Sequence, residues 1–347
     1  MTVRVPPRLR AYAHVLRARA LENTGLRAPR PYATHCIITW RCNLRCSGCD
    51  AWQRDTVPEL NADQWRTVFR QLRTLDIVKI IGGEPFVRDD LGDIVTGIRD
   101  AVDPFIVQLV TNGTLSERIL SFVREHAWPG LHLRVSLDGM EAAHDRARGV
   151  TGTYRRVMDT LEGLAQLKKH HRFQLAINFT LTDDSMADMA PLLERCRSLG
   201  VDLVPGFKVK PFLRHCNVAD EEVATIGLVD REAALPHLVE GDHGARRGFN
   251  SIERQALQAI NRLVFRKHAQ GGGALKFRCR EVRNLMYLNP YGELITCGLN
   301  HDPIGNLLEE GFEAVWGSER ARAARAQVDR CPGCMQGAVE IMSSLYG

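Results

Sequence analysis

The chain has 347 residues, 44% hydrophobic and 25% charged, which is enough to bury a sizeable core as one large domain plus a smaller one. Its net charge of +5 is modest and spread out, so it gives little support for a nucleic-acid partner. No apolar run is long enough to span a bilayer, and ten cysteines in a chain of this length, without a signal-peptide core, do not read as a secreted disulfide framework; a cytoplasmic protein is expected.

Residues 1–31 carry seven arginines against one glutamate, and the spacing of Leu9, Tyr12, Val15 and Leu16 fits an amphipathic helix packed on the body of the fold better than a transit peptide. A strand over His35–Trp40, apolar and β-branched, comes next. The loop that leaves it holds Cys42-Asn-Leu-Arg-Cys46-Ser-Gly-Cys49, three thiols with no fourth nearby. Zinc in a closed site wants four ligands, whereas a four-iron cube held by three cysteines keeps one iron open for a substrate or cofactor. A zinc knuckle is the bland alternative.

Asn61-Ala-Asp-Gln64 reads as a capping box that opens a helix with Trp65, Val68, Phe69 and Leu72 on one face. Strand Ile77–Ile81 ends in Gly82-Gly83-Glu84-Pro85, where two glycines let the backbone approach a ligand beside a carboxylate. A helix from Asp90, strand Phe105–Val110, a helix from Ser116, strand Leu131–Leu137, a helix capped by Thr153, strand Phe173–Thr180, helix Asp184–Leu199 and strand Val201–Val209 complete six βα units. Six parallel units give an α/β fold, a partial (β/α)6 TIM-like barrel open on one side, whose reactive loops lie at the C-terminal ends of the strands.

Taken together, the three-cysteine loop, Gly82-Gly83-Glu84-Pro85, Thr111-Asn112-Gly113-Thr114 after the third strand, Val135-Ser136-Leu137-Asp138-Gly139 after the fourth and Asn178 in the fifth resemble the radical S-adenosylmethionine superfamily. The resemblance implies a 4Fe–4S cluster on Cys42, Cys46 and Cys49 that binds S-adenosylmethionine through its open iron. It further implies a 5′-deoxyadenosyl radical, Gly82 to Glu84 with Pro85 as the seat of the methionyl ammonium, and Ser136 near the ribose. Thr111, Asn112, Asp138 and Asn178 are implied as further cofactor-facing positions, and Arg146 or Arg148 as the partner of the cofactor carboxylate. Relatives often place an aromatic residue before the third cysteine, where this chain has Gly48; Trp52 or Trp40 is the expected substitute for adenine stacking. An electron donor of the flavodoxin or ferredoxin type is also implied.

Past residue 210 the character changes. Residues 211–275 are polar, rich in histidine and end in three glycines, and read as an insertion or cap with a linker. Within it Cys216, on the substrate side of the sixth strand, is a candidate hydrogen-atom donor, or else a passive loop thiol. Residues 276–347 hold Cys279, Cys297, Cys331 and Cys334 around a hairpin over Tyr287–Thr296; four thiols fill a cluster or a zinc site. By resemblance this is a Twitch/SPASM-like auxiliary 4Fe–4S module. Cys36 and Cys196 read as small buried hydrophobes. The resemblance extends to enzymes of sugars and aminocyclitols, and only a short segment precedes the first strand, so a leader-binding domain is not expected. A small polyhydroxylated metabolite, dehydrogenated or epimerised, is therefore the expected substrate, and a ribosomally made peptide the alternative. A zinc-stabilised scaffold is the non-enzymatic reading.

Overall fold

The computed structural model describes residues 13–14, 30–47, 49, 51–54, 57–181, 183–207, 281–298 and 301–330. The expected N-terminal helix apart from Ala13 and His14, the 211–275 insertion, Cys216, Cys279, Cys331 and Cys334 lie outside the described residues.

Six parallel strands form the body: β1 (Ala33–Ile37), β2 (Ile77–Ile81), β3 (Ile106–Thr111), β4 (Leu131–Ser136), β5 (Gln174–Leu181) and β6 (Asp202–Phe207). Helices α1 (Ala62–Arg70), α2 (Leu91–Val102), α3 (Ser116–His126), α4 (Glu141–Arg148), α5 (Thr153–Leu167) and α6 (Met189–Leu199) connect them, as in a partial (β/α)6 barrel. The capping box is present: the Asn61 side chain accepts from the Gln64 amide and the Gln64 side chain from the Asn61 amide, both at 3.0 Å. Three expected starts differ. Thr153 is the first residue of α5 and Gly152 its cap, while Asp145 of α4 accepts from Gly152 N, Tyr154 N and the Thr153 hydroxyl. Ser116 is likewise inside α3, its hydroxyl sharing a hydrogen bond with Thr160. The stretch expected as one helix from Asp184 begins as a 3-10 turn, Asp183–Asp188, and becomes α-helical at Met189.

Successive strand residues face opposite sides of the sheet. Cys36, Val78, Ile80, Val107, Leu109, Leu133, Val135 and Ile177 join Trp65, Phe69, Ile94, Ile98, Phe122 and Leu161 of the helices in one core. The alternate positions make the inner face, where His35, Lys79, Gln108 and His132 stand in register across four strands. The sheet does not stop at the barrel. β7 (Leu285–Leu288) adds to β1 in parallel, and β8 (Glu293–Ile295) and β9 (Pro303–Asn306) follow antiparallel, so nine strands run β6-β5-β4-β3-β2-β1-β7-β8-β9. The expected hairpin is thus β7–β8, with its turn tightened at Gly292, φ +79°. Two helices close this part, α7 (Phe312–Gly317) and α8 (Glu319–Arg330); the Arg325 guanidinium of α8 stacks on Trp316 and donates to the Val282 and Trp316 carbonyls. Cys36 and Cys196 are buried as expected, burial pushing the Cys36 thiol up to about 12 against a hydrogen bond from Thr34.

A buried arginine ties the first two units together. Arg88 donates to the Ile38 and Leu60 carbonyls, each at 2.8 Å, and forks onto Asp90 at 2.8 and 2.7 Å. Asp90 is the cap residue of α2 but makes no capping bond, because its carboxylate is held by Arg88. Replacing Arg88 with methionine leaves two buried carbonyls and a carboxylate without their donor, so the urea midpoint should fall by the equivalent of about 3 kcal/mol. An unchanged midpoint would show that water replaces the guanidinium at no cost.

Candidate active site

The cysteine loop leaves β1 and lies across the C-terminal ends of β2 and β3 and the end of α4. Contact with β2 is by backbone: Gly83 N donates to the Thr39 carbonyl at 2.8 Å and Glu84 N to that of Arg41 at 2.9 Å. A β-carbon on Gly83 would lie 2.6 Å from the Trp40 carbonyl oxygen and nearer still to that of Arg41, so the glycine pair is required by this approach. Contact with β3 is by side chain. Asn112 donates to Asn43 at 2.8 Å, Asn43 donates to Thr114 at 2.9 Å, and Thr114 donates back to Asn112 at 2.7 Å, a closed ring of amides and hydroxyl. On the third side, Arg45 N donates to the Arg148 carbonyl at 3.2 Å and Ser47 N to that of Ala147 at 3.1 Å. Gly149 ends α4 at φ +67°, pressed against Arg45 where no β-carbon fits.

The loop so braced presents Cys42, Cys46 and Cys49 as half-buried thiols outside any disulfide. Burial pushes Cys42 up to about 11, against a hydrogen bond from Leu44 N, with Glu84, Cys46 and Cys49 adding to the rise. Burial also raises Cys46, while the Arg148 cation opposes it. Among the described residues no three His, Cys, Asp or Glu side chains close around a single metal ion. A cube of four irons places each thiolate on a different iron, so its ligands stand farther apart than those of one zinc, and three thiols on one loop suit it.

Glu84 is fully buried, and its carboxylate accepts from the Thr111 hydroxyl at 2.8 Å, Phe86 N at 3.1 Å and Asn112 N at 2.6 Å. Burial lifts it to about 7 in spite of these bonds. The Glu84 side chain therefore faces the protein, and what the Gly82–Glu84 turn offers outward is backbone. Pro85 is buried behind it, at the start of the short turn Pro85–Val87.

The two candidate arginines differ. Arg146 is exposed on α4, whereas the Arg148 guanidinium is held 2.6 Å from Asp138 and 3.8 Å from the Cys46 sulfur, with its Nε buried and unpartnered. Asp138 in turn accepts from Thr180 N at 2.9 Å. Ser136, the last residue of β4, is the register partner of Asn178 within β5, and both are half-buried on the inner face. The orphaned Arg148 donor beside the thiols is a fitting site for an anionic group of a cofactor.

Trp40 and Trp52 flank the loop differently. Trp40 is buried among Ile37, Ala51, Tyr287 and Ile295, lies under the Arg54 guanidinium at 4.1 Å and stacks on His301, so it faces the C-terminal hairpin. His301 reaches the Gly298 carbonyl at 3.1 Å, which brings the Cys297 loop against the first cluster loop. Trp52 lies beneath Arg45 at 5.1 Å. Three residues of the site are not singled out by the motifs of the sequence: Asn43, Glu59, which accepts from Thr39 and Trp40 N, and His144. An asparagine between cysteines is the signal that marks Asn43.

Residues 36–193 match the Radical SAM superfamily, and residues 279–335 match an iron–sulfur cluster-binding domain, SPASM. The chain thus combines a Radical SAM domain with a C-terminal SPASM domain; its cofactors are S-adenosylmethionine, a 4Fe–4S cluster and auxiliary iron–sulfur. Pre-heme d1 synthase of Dinoroseobacter shibae is 29% identical over 174 residues, 48% of this chain and 40% of the relative, so the chain spans about two-fifths of that protein. Sporulation killing factor maturation protein SkfB of Bacillus subtilis is 22% identical over 302 residues, 85% of this chain and 67% of the relative. Streptococcus suis SuiB bound to precursor peptide SuiA shares the fold at a TM-score of 0.63 and 14% identity, covering 96% of this chain and 77% of that one.

His144 gives the site a pH signature. It is fully buried, its Nδ1 accepts from Asp138 N at 3.0 Å and its Nε2 has no partner. Burial, with the Arg148 charge, lowers it from 6.5 to about 4. The unfolded chain then binds the extra proton first, so His144 contributes stability above pH 6.5 that is lost as pH falls towards about 4. Relative to His144→Asn, the wild-type chain should lose about 3 kcal/mol across that window in urea unfolding. A pH-independent difference between the two would show that the imidazole takes up its proton as readily in the fold as in the unfolded chain.

Proposed function

We propose that the chain is a radical enzyme that takes a hydrogen atom from a ribosomally made peptide, with Cys42, Cys46 and Cys49 as ligands of the open cluster. The observation that carries the enzyme reading is the convergence of those thiols, the Gly82–Glu84 backbone and the orphaned Arg148 Nε at one edge of the sheet. When bound, the cluster and S-adenosylmethionine supply reductive cleavage of a carbon–sulfur bond and a 5′-deoxyadenosyl radical.

The protein's part is to hold and orient. Backbone carbonyls of the Gly82–Glu84 turn receive the methionyl ammonium, and Arg148, not the exposed Arg146, receives the carboxylate through Nε. Ser136 and Asn178 meet the ribose. Thr111, Asn112 and Asp138 act from behind, by fixing Glu84, the cysteine loop and Arg148. Cys279, Cys297, Cys331 and Cys334 hold the auxiliary cluster, and a flavodoxin- or ferredoxin-type protein in the cytoplasm supplies the electron. No helix among the described residues is long and apolar enough to cross a membrane.

The peptide assignment is supported by the relative that aligns with 85% of this chain, a maturation protein, and by the shared fold of SuiB with its precursor peptide. A polyhydroxylated metabolite, either a sugar, an aminoglycoside or an aminocyclitol, is the second reading, favoured by the likeness of the auxiliary cysteine spacing to enzymes of that group. It would be dehydrogenated, or epimerised with Cys216 returning hydrogen.

The reconstituted chain, given reductant, S-adenosylmethionine and synthetic peptides encoded beside its gene, should form 5′-deoxyadenosine and change a peptide's mass. The Cys42→Ala/Cys46→Ala/Cys49→Ala variant should do neither, at least 100-fold down, while keeping its auxiliary iron, since the two sites share no ligand. Deuterium transferred into 5′-deoxyadenosine from a perdeuterated aminocyclitol or sugar, with every peptide unchanged, would reverse the substrate assignment. Cofactor cleavage by the triple variant would overturn the ligand assignment.

A further inference from the structure

Cys46 is tied to α4 from both sides and through its sulfur. The residues on both sides of it, Arg45 and Ser47, donate their amides to the carbonyls of Arg148 and Ala147 at 3.2 and 3.1 Å. The Arg148 side chain then turns back to the same cysteine, with Nη1 3.8 Å from its sulfur. That guanidinium is not free to wander. Asp138 grips Nη2 at 2.6 Å, Asp138 is itself anchored by Thr180 N at 2.9 Å, and the side chain is only 15% exposed.

We propose that Arg148 is a positioning residue for the open cluster itself, donating an N–H to the Cys46 thiolate and raising the cluster's reduction potential independently of its contact with the cofactor. The inference rests on Cys42, Cys46 and Cys49 being the cluster ligands. Its physics is simple. Reduction adds one electron to the irons and sulfurs, so a hydrogen bond to a sulfur and a positive charge beside it in a half-buried site favour the reduced, more negative state. Asp138 offsets part of that charge, yet its main effect is to fix the fork towards Cys46. His144, whose Nδ1 accepts from Asp138 N, is held neutral by burial and adds no competing cation.

The test is a redox titration of the full reconstituted chain, followed by electron paramagnetic resonance and carried out without S-adenosylmethionine, so that cofactor binding plays no part. In the wild-type chain the open cluster is the one whose signal changes when S-adenosylmethionine is added afterwards; its spectrum then identifies it in the variants, and the auxiliary signal serves as internal control. Arg148→Gln should lower the open cluster's one-electron reduction equilibrium about tenfold, a shift of about −59 mV, and leave the auxiliary potential unmoved. Arg148→Lys, which keeps the charge but not the fork, should fall between the two. If the glutamine variant takes up no open cluster, the lysine variant decides alone, a lower potential supporting the inference and a wild-type one overturning it. A wild-type potential in Arg148→Gln with normal iron content also overturns it. A wild-type chain in which no signal responds to S-adenosylmethionine would overturn the ligand assignment and this inference together, and that outcome is recognisable before any variant is made.

Discussion

The loop that carries the three cysteines and the turn after β2 approach each other backbone to backbone, and the site depends on that approach. Hydrogen bonds from Gly83 and Glu84 to the Thr39 and Arg41 carbonyls need both glycines bare, since a β-carbon on Gly82 would enter the space of the Thr39 carbonyl oxygen and one on Gly83 that of the Trp40 and Arg41 carbonyl oxygens. A loop rich in reactive thiols has little packing of its own. It is ordered by what it leans on, and here it leans on β2 through backbone, on β3 through the Asn43–Asn112–Thr114 ring and on α4 through Arg148 and Gly149.

Two carboxylates organise the polar groups behind this surface without facing it. Glu84 spans β2 and β3 from a fully buried position, and Asp138 spans β4, β5 and α4 through Thr180 and Arg148. Each bridges neighbouring strand ends, so the ends of four strands and the cysteine loop form one hydrogen-bonded unit. Preorganisation of this kind suits a site that must hold a charged cofactor in one orientation before a reactive radical is released. The C-terminal hairpin joins the same unit. β7 extends the barrel sheet beside β1, and Trp40, Arg54 and His301 pack the Cys297 loop against the first cysteine loop.

Much of this was legible in the chain. Apolar β-branched runs such as Ile77–Ile81 and the Asn61–Gln64 capping box are local signals, and they appear where they were read. The three cysteines and the Gly-Gly-Glu turn carry chemistry that few other contexts need. What was not legible is non-local. Leu285–Leu288 is an apolar strand whose composition says nothing about its partner, so the parallel pairing with β1 had no local sign. Glu141–Arg148 has little apolar periodicity, and its role comes from its last residues meeting the cysteine loop. Thr153 looked like a cap because threonine often is one, yet Asp145, eight positions earlier, holds the helix start. The Glu84 carboxylate looked available to a ligand because sequence shows residue type and not direction. Its burial and three protein donors decide otherwise.

Three thiols on one braced loop are proposed to hold a cluster with a single open iron, separate from an auxiliary cluster. Mössbauer spectroscopy of the chain reconstituted with iron-57 tests it most directly. With S-adenosylmethionine added, about one iron in eight, as expected for two four-iron clusters, should take on a distinct isomer shift while the remainder keep theirs. A spectrum in which every iron site is unaffected by S-adenosylmethionine would contradict the account.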